Sequence, residues 1–453
     1  MTRAREAVGP AYLFVCLVAG GSAQGVWANM VLQLVGLAIL AWAAAAPASP
    51  KLARPARHLF LIVLAALALI ALQLVPLPAS VWPSLGGRQA LAAGYSVLGI
   101  PVPALPLSLA PYETFATLLT LIPPLAMLCA ILRLQAYRGS WLVLAVLAGT
   151  FAGILLGILQ VASAEPLNSP WYLFAETNWG TATGFFANAN HMATLLVVSL
   201  PLLAALIAAA RRGSVQRYTS LLAVGAGAAL LILVGIALNG SLAGYLLALP
   251  VLAASALIVL PQRRGLQRAA IVLAGILLVG AVGALESSSI RPNGFSAEAA
   301  TSVQSRDEML KTTLAASRDF LPFGSGVGTF RRVYDLYENP DRTTRTYVVH
   351  AHNDYAELML ETGVPGIVLI LLFLMWWGAS AWRAWRSQEA APYARAASIA
   401  SAAILAHSLV DFPLRTSAIA SLFAMCLALL ADRRAPMASS KSDLRPTRHV
   451  LVR

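Results

Sequence analysis

Apolar runs of roughly twenty residues recur along nearly the whole chain, broken by short polar or basic connections. Each is long enough to cross a hydrocarbon core of ~30 Å. The pattern predicts about twelve transmembrane helices, near 9–26, 28–46, 58–77, 112–132, 140–161, 185–208, 218–238, 241–260, 269–286, 355–381, 396–411 and 415–431. The expected fold class is therefore an all-α polytopic membrane protein. Residues 1–286 hold the first nine helices, 287–353 form a large outer loop, 354–432 hold the last three helices, and 433–453 are a basic tail expected to be disordered at the membrane surface. A second outer segment, 78–111, is Pro-rich and is expected to pack as irregular structure. No solenoid repeat, heptad pattern or inverted repeat is visible.

Composition agrees: 59% of the residues are hydrophobic, 11% are charged, and the mean hydropathy is +0.74. A soluble protein of this make-up would aggregate. The net charge of +13 is a topology signal. With the N-terminus inside, alternate connections carry Lys51, Arg54 and Arg57; Arg133 and Arg138; Arg211, Arg212 and Arg217; Arg263, Arg264 and Arg268; and Arg383, Arg386 and Arg395. Arg88 is the one basic residue in the first four outer loops, so both chain ends are placed inside. No nucleic-acid partner is needed to explain the charge. The first apolar run also has the form of a signal peptide, and retention as a helix is the reading adopted. Cys16, Cys129 and Cys426 fall within spans as packing residues, with no disulfide expected.

There is no phosphate-loop motif, no Asp-x-Asp pair and no zinc-type Cys/His spacing, so neither ATP hydrolysis nor a metal is expected. The chemistry falls to His, Arg, carboxylates and hydroxyls. Four of the six histidines, His191, His350, His352 and His407, lie at or near the outer face. Ionisable groups at membrane depth are costly and mark candidate sites.

The stretch VVHAHNDYAELMLETGVPG (348–366) carries the densest chemistry. Asp354, Glu357 and Glu361 are spaced to share one face of the first two turns of a helix. Asp354 as N-cap with Glu357 three residues on is the plain capping reading. His352 adds nothing to such a cap, and an imidazole oriented by a carboxylate suits proton removal from a hydroxyl. Upstream, Ser305 to Glu308 has the form of a capping box, opening an amphipathic helix whose Met309, Leu310, Thr313, Leu314 and Phe320 would rest on the membrane. It ends in PFGSGVGTF, where Gly324, Gly326 and Gly328 either turn the chain or, with Arg306, Arg331 and Arg332, cradle an anion. Asn188 and His191 share a face near the start of span six, as core packing or as ligand contacts. His407 and Asp411, at i and i+4 on the end of span eleven, and Arg415 in the next turn form either an ion-pair group or part of a site.

Three stretches, GFFANANHMATLL, SRDEMLKTTLAASRDFLPFGSGVGTF and HAHNDYAELMLETGVPGIV, resemble in that order the O-antigen ligase and polymerase family of bacterial inner membranes. The third is the most specific: His352-Asn353, nine residues, Gly363, two residues, Gly366. The resemblance spans roughly 180–430, and a twelve-span topology with a large periplasmic loop between helices nine and ten is similar too. It implies an inverting, metal-independent glycosyltransferase without cofactor. A glycan would pass from an undecaprenyl-pyrophosphate carrier to a hydroxyl of lipid A core or a growing polysaccharide, on the periplasmic side of the inner membrane. His352 would be the general base and Arg306 a pyrophosphate ligand. Arg331, Arg332 and Arg415 are candidates for a second arginine, and Asn353, Asn188 and His191 for substrate contacts. Asp354, Glu357, His350, His407, Asp411 and Gly326 would support them. A protein O-oligosaccharyltransferase of the same family and a transporter or flippase of lipid-linked sugars are the alternatives.

Overall fold

A computed structural model of the chain describes residues 2–23, 26–47, 52–134, 137–211, 215–259, 297–339, 348–387 and 392–432, with a few isolated positions between 265 and 280. The expected ninth span, the loop portions 281–296 and 340–347, and the basic tail 433–453 lie outside the described residues.

The described chain is predominantly helical, with irregular stretches at 73–88, 98–110 and 162–188. Its helices are α1 (Thr2–Ala19), α2 (Trp27–Ala45), α3 (Arg54–Leu72), α4 (Gln89–Val97), α5 (Pro111–Thr120), α6 (Ile122–Leu132), α7 (Gly139–Val161), α8 (Ala189–Ala210), α9 (Val215–Asn239), α10 (Leu242–Val259), α11 (Ala297–Asp319), α12 (Phe330–Tyr337), α13 (Asp354–Arg386), α14 (Pro392–His407) and α15 (Ser417–Ala431). Among the described residues eight spans are long and apolar enough to cross a membrane. The span expected at 112–132 is one crossing made of two helices, because Leu121 separates α5 from α6 and Pro123 and Pro124 open the second. The first helix runs Thr2–Ala19 rather than 9–26, which brings Glu6 to 2.8 Å from Arg138.

At the centre stands α8, apolar apart from Asn190, His191, Thr194 and Ser199 and buried over 78% of its crossing, as expected of a helix enclosed by others. It packs against α7, α9, α10 and α14, while α15 packs on α1, α6 and α14. One continuous core unites them, including Leu13, Leu17, Met127, Ile131, Met192, Leu196, Leu422 and Met425. The basic residues Arg57, Arg133, Arg138, Arg211, Arg383 and Arg395 lie at one set of helix ends. The polar groups described below lie at the opposite ends of those helices.

The outer segment is more ordered than its prolines suggest. Pro76–Leu77 and Leu105–Pro106 form a short antiparallel pair, and α4 lies between them. Arg88 is buried, donates to the carbonyls of Gly86 (2.7 Å), Gly324 (3.0 Å) and Leu107, and so ties this segment to the glycine loop. Two expectations about the large loop are corrected. Ser305 cannot cap a helix that already begins at Ala297. The side of α11 bearing Thr313, Ala316 and Phe320 is buried against protein, with Phe320 joining Phe330, Val333, Ala351 and Leu360, rather than resting on lipid.

Candidate functional site

The start of α13 differs from the capping prediction. Asn353, not Asp354, is the N-cap: its side chain accepts from the amides of Tyr355 and Ala356, both at 3.0 Å, and donates to the Leu409 carbonyl at 2.8 Å. An amide side chain can donate and accept at once, so it caps the helix and ties it to the 408–411 turn, where the Asp354 amide also bonds the Ser408 carbonyl. His352, immediately before the cap, has φ +50°. That is a strained conformation for a residue with a Cβ, and such strain persists only where the surroundings enforce it. Here the clamps are Asn353 on one side and the Ala351 amide, bonded to Glu357 Oε2 at 2.9 Å, on the other.

Asp411 is the centre of the first cluster. It is fully buried, and its Oδ1 lies 3.2 Å from His352 Nδ1 and 2.9 Å from the Phe412 amide. Oδ2 accepts from Asn190 Nδ2 and lies 3.7 Å from an Arg306 Nη2, a charge contact rather than a hydrogen bond. Burial favours the neutral acid, but the hydrogen bond and charge of His352, then Arg306 and His191, outweigh it and hold the Asp411 carboxyl well below its ordinary range. The side chains of His352 and Arg306 are each 25% exposed, so both reach this buried anion from an accessible surface. Phe412 packs against three imidazoles, with ring centres 4.4 Å from His350, 4.8 Å from His352 and 5.1 Å from His191.

A second cluster lies one turn further along α13. The three carboxylates share a buried face, as their spacing predicts, and the cation they face is Arg415: 3.5 Å to Asp354, 3.1 Å to Glu357 and 3.5 Å to Glu361. Burial opposes the charge on Arg415, but Glu357, Glu361 and Asp354 prevail and raise its pKa. Glu357 also bonds His350 Nδ1 at 2.9 Å. The supposed trio of His407, Asp411 and Arg415 therefore divides. Arg415 belongs to the α13 carboxylates, and Asp411 to His352 and Arg306. His407 Nδ1 meets Thr194 Oγ1 at 2.8 Å, since α14 ends at His407 and Asp411 lies beyond it in a turn.

The amides of the glycine loop are taken up by acceptors of the protein itself, the Glu361 carboxylate among them, rather than left for a bound anion. Ser325 and Gly326 donate to the carbonyls of Leu360 and Glu361, both at 2.9 Å, Val327 to Gln73 and Gly328 to Glu361 Oε1, both at 2.8 Å. Gly326 has φ +112° and lies so close to Ser108 that a Cβ would be 2.5 Å from its hydroxyl oxygen, so these glycines serve close packing. Arg331 and Arg332 are exposed on α12. Asn188 is the N-cap of α8, accepting from the Asn190 amide at 2.8 Å, and His191 lies in the first turn, buried. The sequence reading missed Asn190, which accepts from Ser241 at 2.7 Å and donates to Asp411, and Phe412. Asn190 and Thr194 were legible as paired polar residues, four apart, in an otherwise apolar helix; Phe412 carried no such signal. Among the described residues no three His, Cys, Asp or Glu side chains are grouped to hold a metal ion.

The fold and this geometry define a multi-pass helical membrane protein with a histidine, a carboxylate and a guanidinium gathered at one end of its bundle. Residues 227–371 match the family model described as O-antigen ligase. The matched segment contains Arg306 and His352 and supports membrane glycan transfer of the ligase or polymerase type. No curated protein matches the chain.

Proposed function

We propose that the protein transfers a glycan from an undecaprenyl-pyrophosphate carrier to a hydroxyl of lipid A core or a growing polysaccharide, on the periplasmic face of the bacterial inner membrane. The observation that carries this reading is the convergence of His352 and Arg306 on buried Asp411. A carboxylate held ionised can only accept, so His352 donates through Nδ1–H and keeps Nε2 as a base. Nε2 removes the acceptor proton as the acceptor oxygen forms its bond to the anomeric carbon. The bond from that carbon to the phosphate oxygen breaks, and the electron pair leaves on the pyrophosphate, with inversion. Arg306 bears on the departing charge, and loss of one such donor costs about 3 kcal/mol or more in related chemistry. The carrier brings its own activated bond, so no nucleotide is consumed.

The test uses purified full-length protein in nanodiscs with a synthetic lipid-linked donor and a core or glycan acceptor. His352→Gln is expected to abolish transfer while donor still binds. Arg306→Gln is expected to raise donor KM and lower kcat, with Arg306→Lys recovering part of both. Undiminished transfer by His352→Gln would overturn the reading.

A further inference from the structure

We infer that His191 is a substrate-binding residue of this same site, covered by the Phe412 ring and uncovered when that ring turns aside to admit a hydroxyl or phosphate oxygen of the lipid-linked donor. The inference rests on the glycan-transfer reading.

His191 is 2% exposed, and neither of its ring nitrogens has a hydrogen-bond partner among the described residues. Most of its polar neighbours have partners, although His407 keeps one of its two ring nitrogens unpartnered, so His191 is the one imidazole here with neither nitrogen bonded. Asn188 caps α8, Asn190 bonds Asp411 and Ser241, and Thr194 bonds His407. His350 and His352 each have a carboxylate. A neutral imidazole carries one donor and one acceptor, and burying both unmade is less favourable than burying an apolar side chain of the same shape. Unless another state of the protein uses those atoms, a leucine or phenylalanine would serve the fold better.

The surroundings indicate which state that is. The His191 ring stands edge-on to Phe412, at 84° and 5.1 Å, while His350 and His352 pack against the same ring. His191 is within electrostatic reach of Asp411, His407, His352 and His350. Phe412 thus packs against both the buried imidazole and the accessible one. The Phe412 amide donates to Asp411 Oδ1 and holds the backbone there, but its side chain is half-buried between the buried Asp411 and Pro413, so side-chain rotation alone would join His191 to the space beside His352. A lipid-linked saccharide supplies oxygens able to meet both a ring N–H and a ring nitrogen.

The experiment compares His191→Leu, His191→Phe and His191→Gln with the wild type in the full-length protein, reading melting temperature and transfer kinetics together. The apolar variants are expected to melt no lower than wild type while donor KM rises about tenfold or more; His191→Gln, which keeps a donor and an acceptor, recovers most of that loss. Should His191→Leu fail to accumulate, His191→Phe carries the comparison. Binding of inorganic pyrophosphate, followed by thermal shift, separates the two sources of oxygen: weaker binding in the apolar variants assigns the contact to phosphate, and unchanged binding with a raised donor KM assigns it to the sugar. Unchanged donor KM together with unchanged pyrophosphate binding, or lower melting with normal transfer, would overturn the inference. His191 variants that transfer normally beside an inactive His352→Gln refute the role of His191 alone, whereas transfer by His352→Gln refutes the underlying reading.

Discussion

Oδ1 of Asp411 lies 3.2 Å from Nδ1 of His352, across fifty-nine positions of sequence, and is fully buried where the histidine is partly open. The carboxylate therefore orients the imidazole from behind while leaving its far nitrogen toward the accessible side. This one relationship joins the most distinctive sequence motif to a turn that carries none.

Asp411→Asn tests it. An amide can present its N–H to Nδ1 and so favour the wrong tautomer, leaving Nε2 protonated and unable to act as base. Transfer is expected to fall about 10²-fold or more, with donor KM changed far less, as read by initial rates in nanodiscs.

The same carboxylate sets a pH dependence of stability. Its folded-state pKa is lowered well below the ordinary value, while the unfolded chain titrates near ~3.9. The stabilisation is thus complete above about pH 5 and is lost as pH falls through the unfolded and then the folded value. Melting temperature measured from pH 7 to pH 3 should decline at the acid end in the wild type, and less steeply in Asp411→Asn.

Arg415 is the guanidinium shared by Asp354, Glu357 and Glu361, and among the described residues no other arginine or lysine pairs with them. Arg415→Met leaves three buried carboxylates without a counter-charge, an error expected to cost ~3–5 kcal/mol. Thermal melts in detergent should show a large loss, and Glu361→Gln in the same background should restore part of it.

Gly363→Ala separates backbone need from side-chain need. At φ +58° a Cβ would stand 2.2 Å from the Pro322 carbonyl oxygen, so the variant is expected to lose more than ~1 kcal/mol and much of its folded yield. Gly378, also within α13, has open space around it. Gly378→Ala should be neutral or slightly stabilising, and a matching loss there would remove the argument.

What could be read from the sequence was what periodicity and local spacing encode. The apolar runs yielded the helical membrane class, and the placing of Asp354, Glu357 and Glu361 put three acids on one face. His352-Asn353 stood out by motif. Which cation those acids meet, and which acid orients His352, depends on where α14 and the turn after it return to α13, and no local pattern carries that. The capping error has the same origin. Asn353 and Asp354 both suit a helix start, and the bond from Asn353 to Leu409 decides between them. The glycine loop looked like an anion cradle because free and occupied amides read alike until their acceptors are known.

The break at Gly363, where the Val364 amide bonds the Pro322 carbonyl at 2.8 Å, makes α13 two rods instead of one. Bilayers differ in thickness, and a long span accommodates the difference by tilting. In this protein such a tilt would move Val364–Arg386 and be absorbed at one glycine, leaving the short outer rod with its acids and its histidine-bearing lead-in anchored to the loop above. The expected result is chemistry mechanically insulated from the lipid that surrounds it.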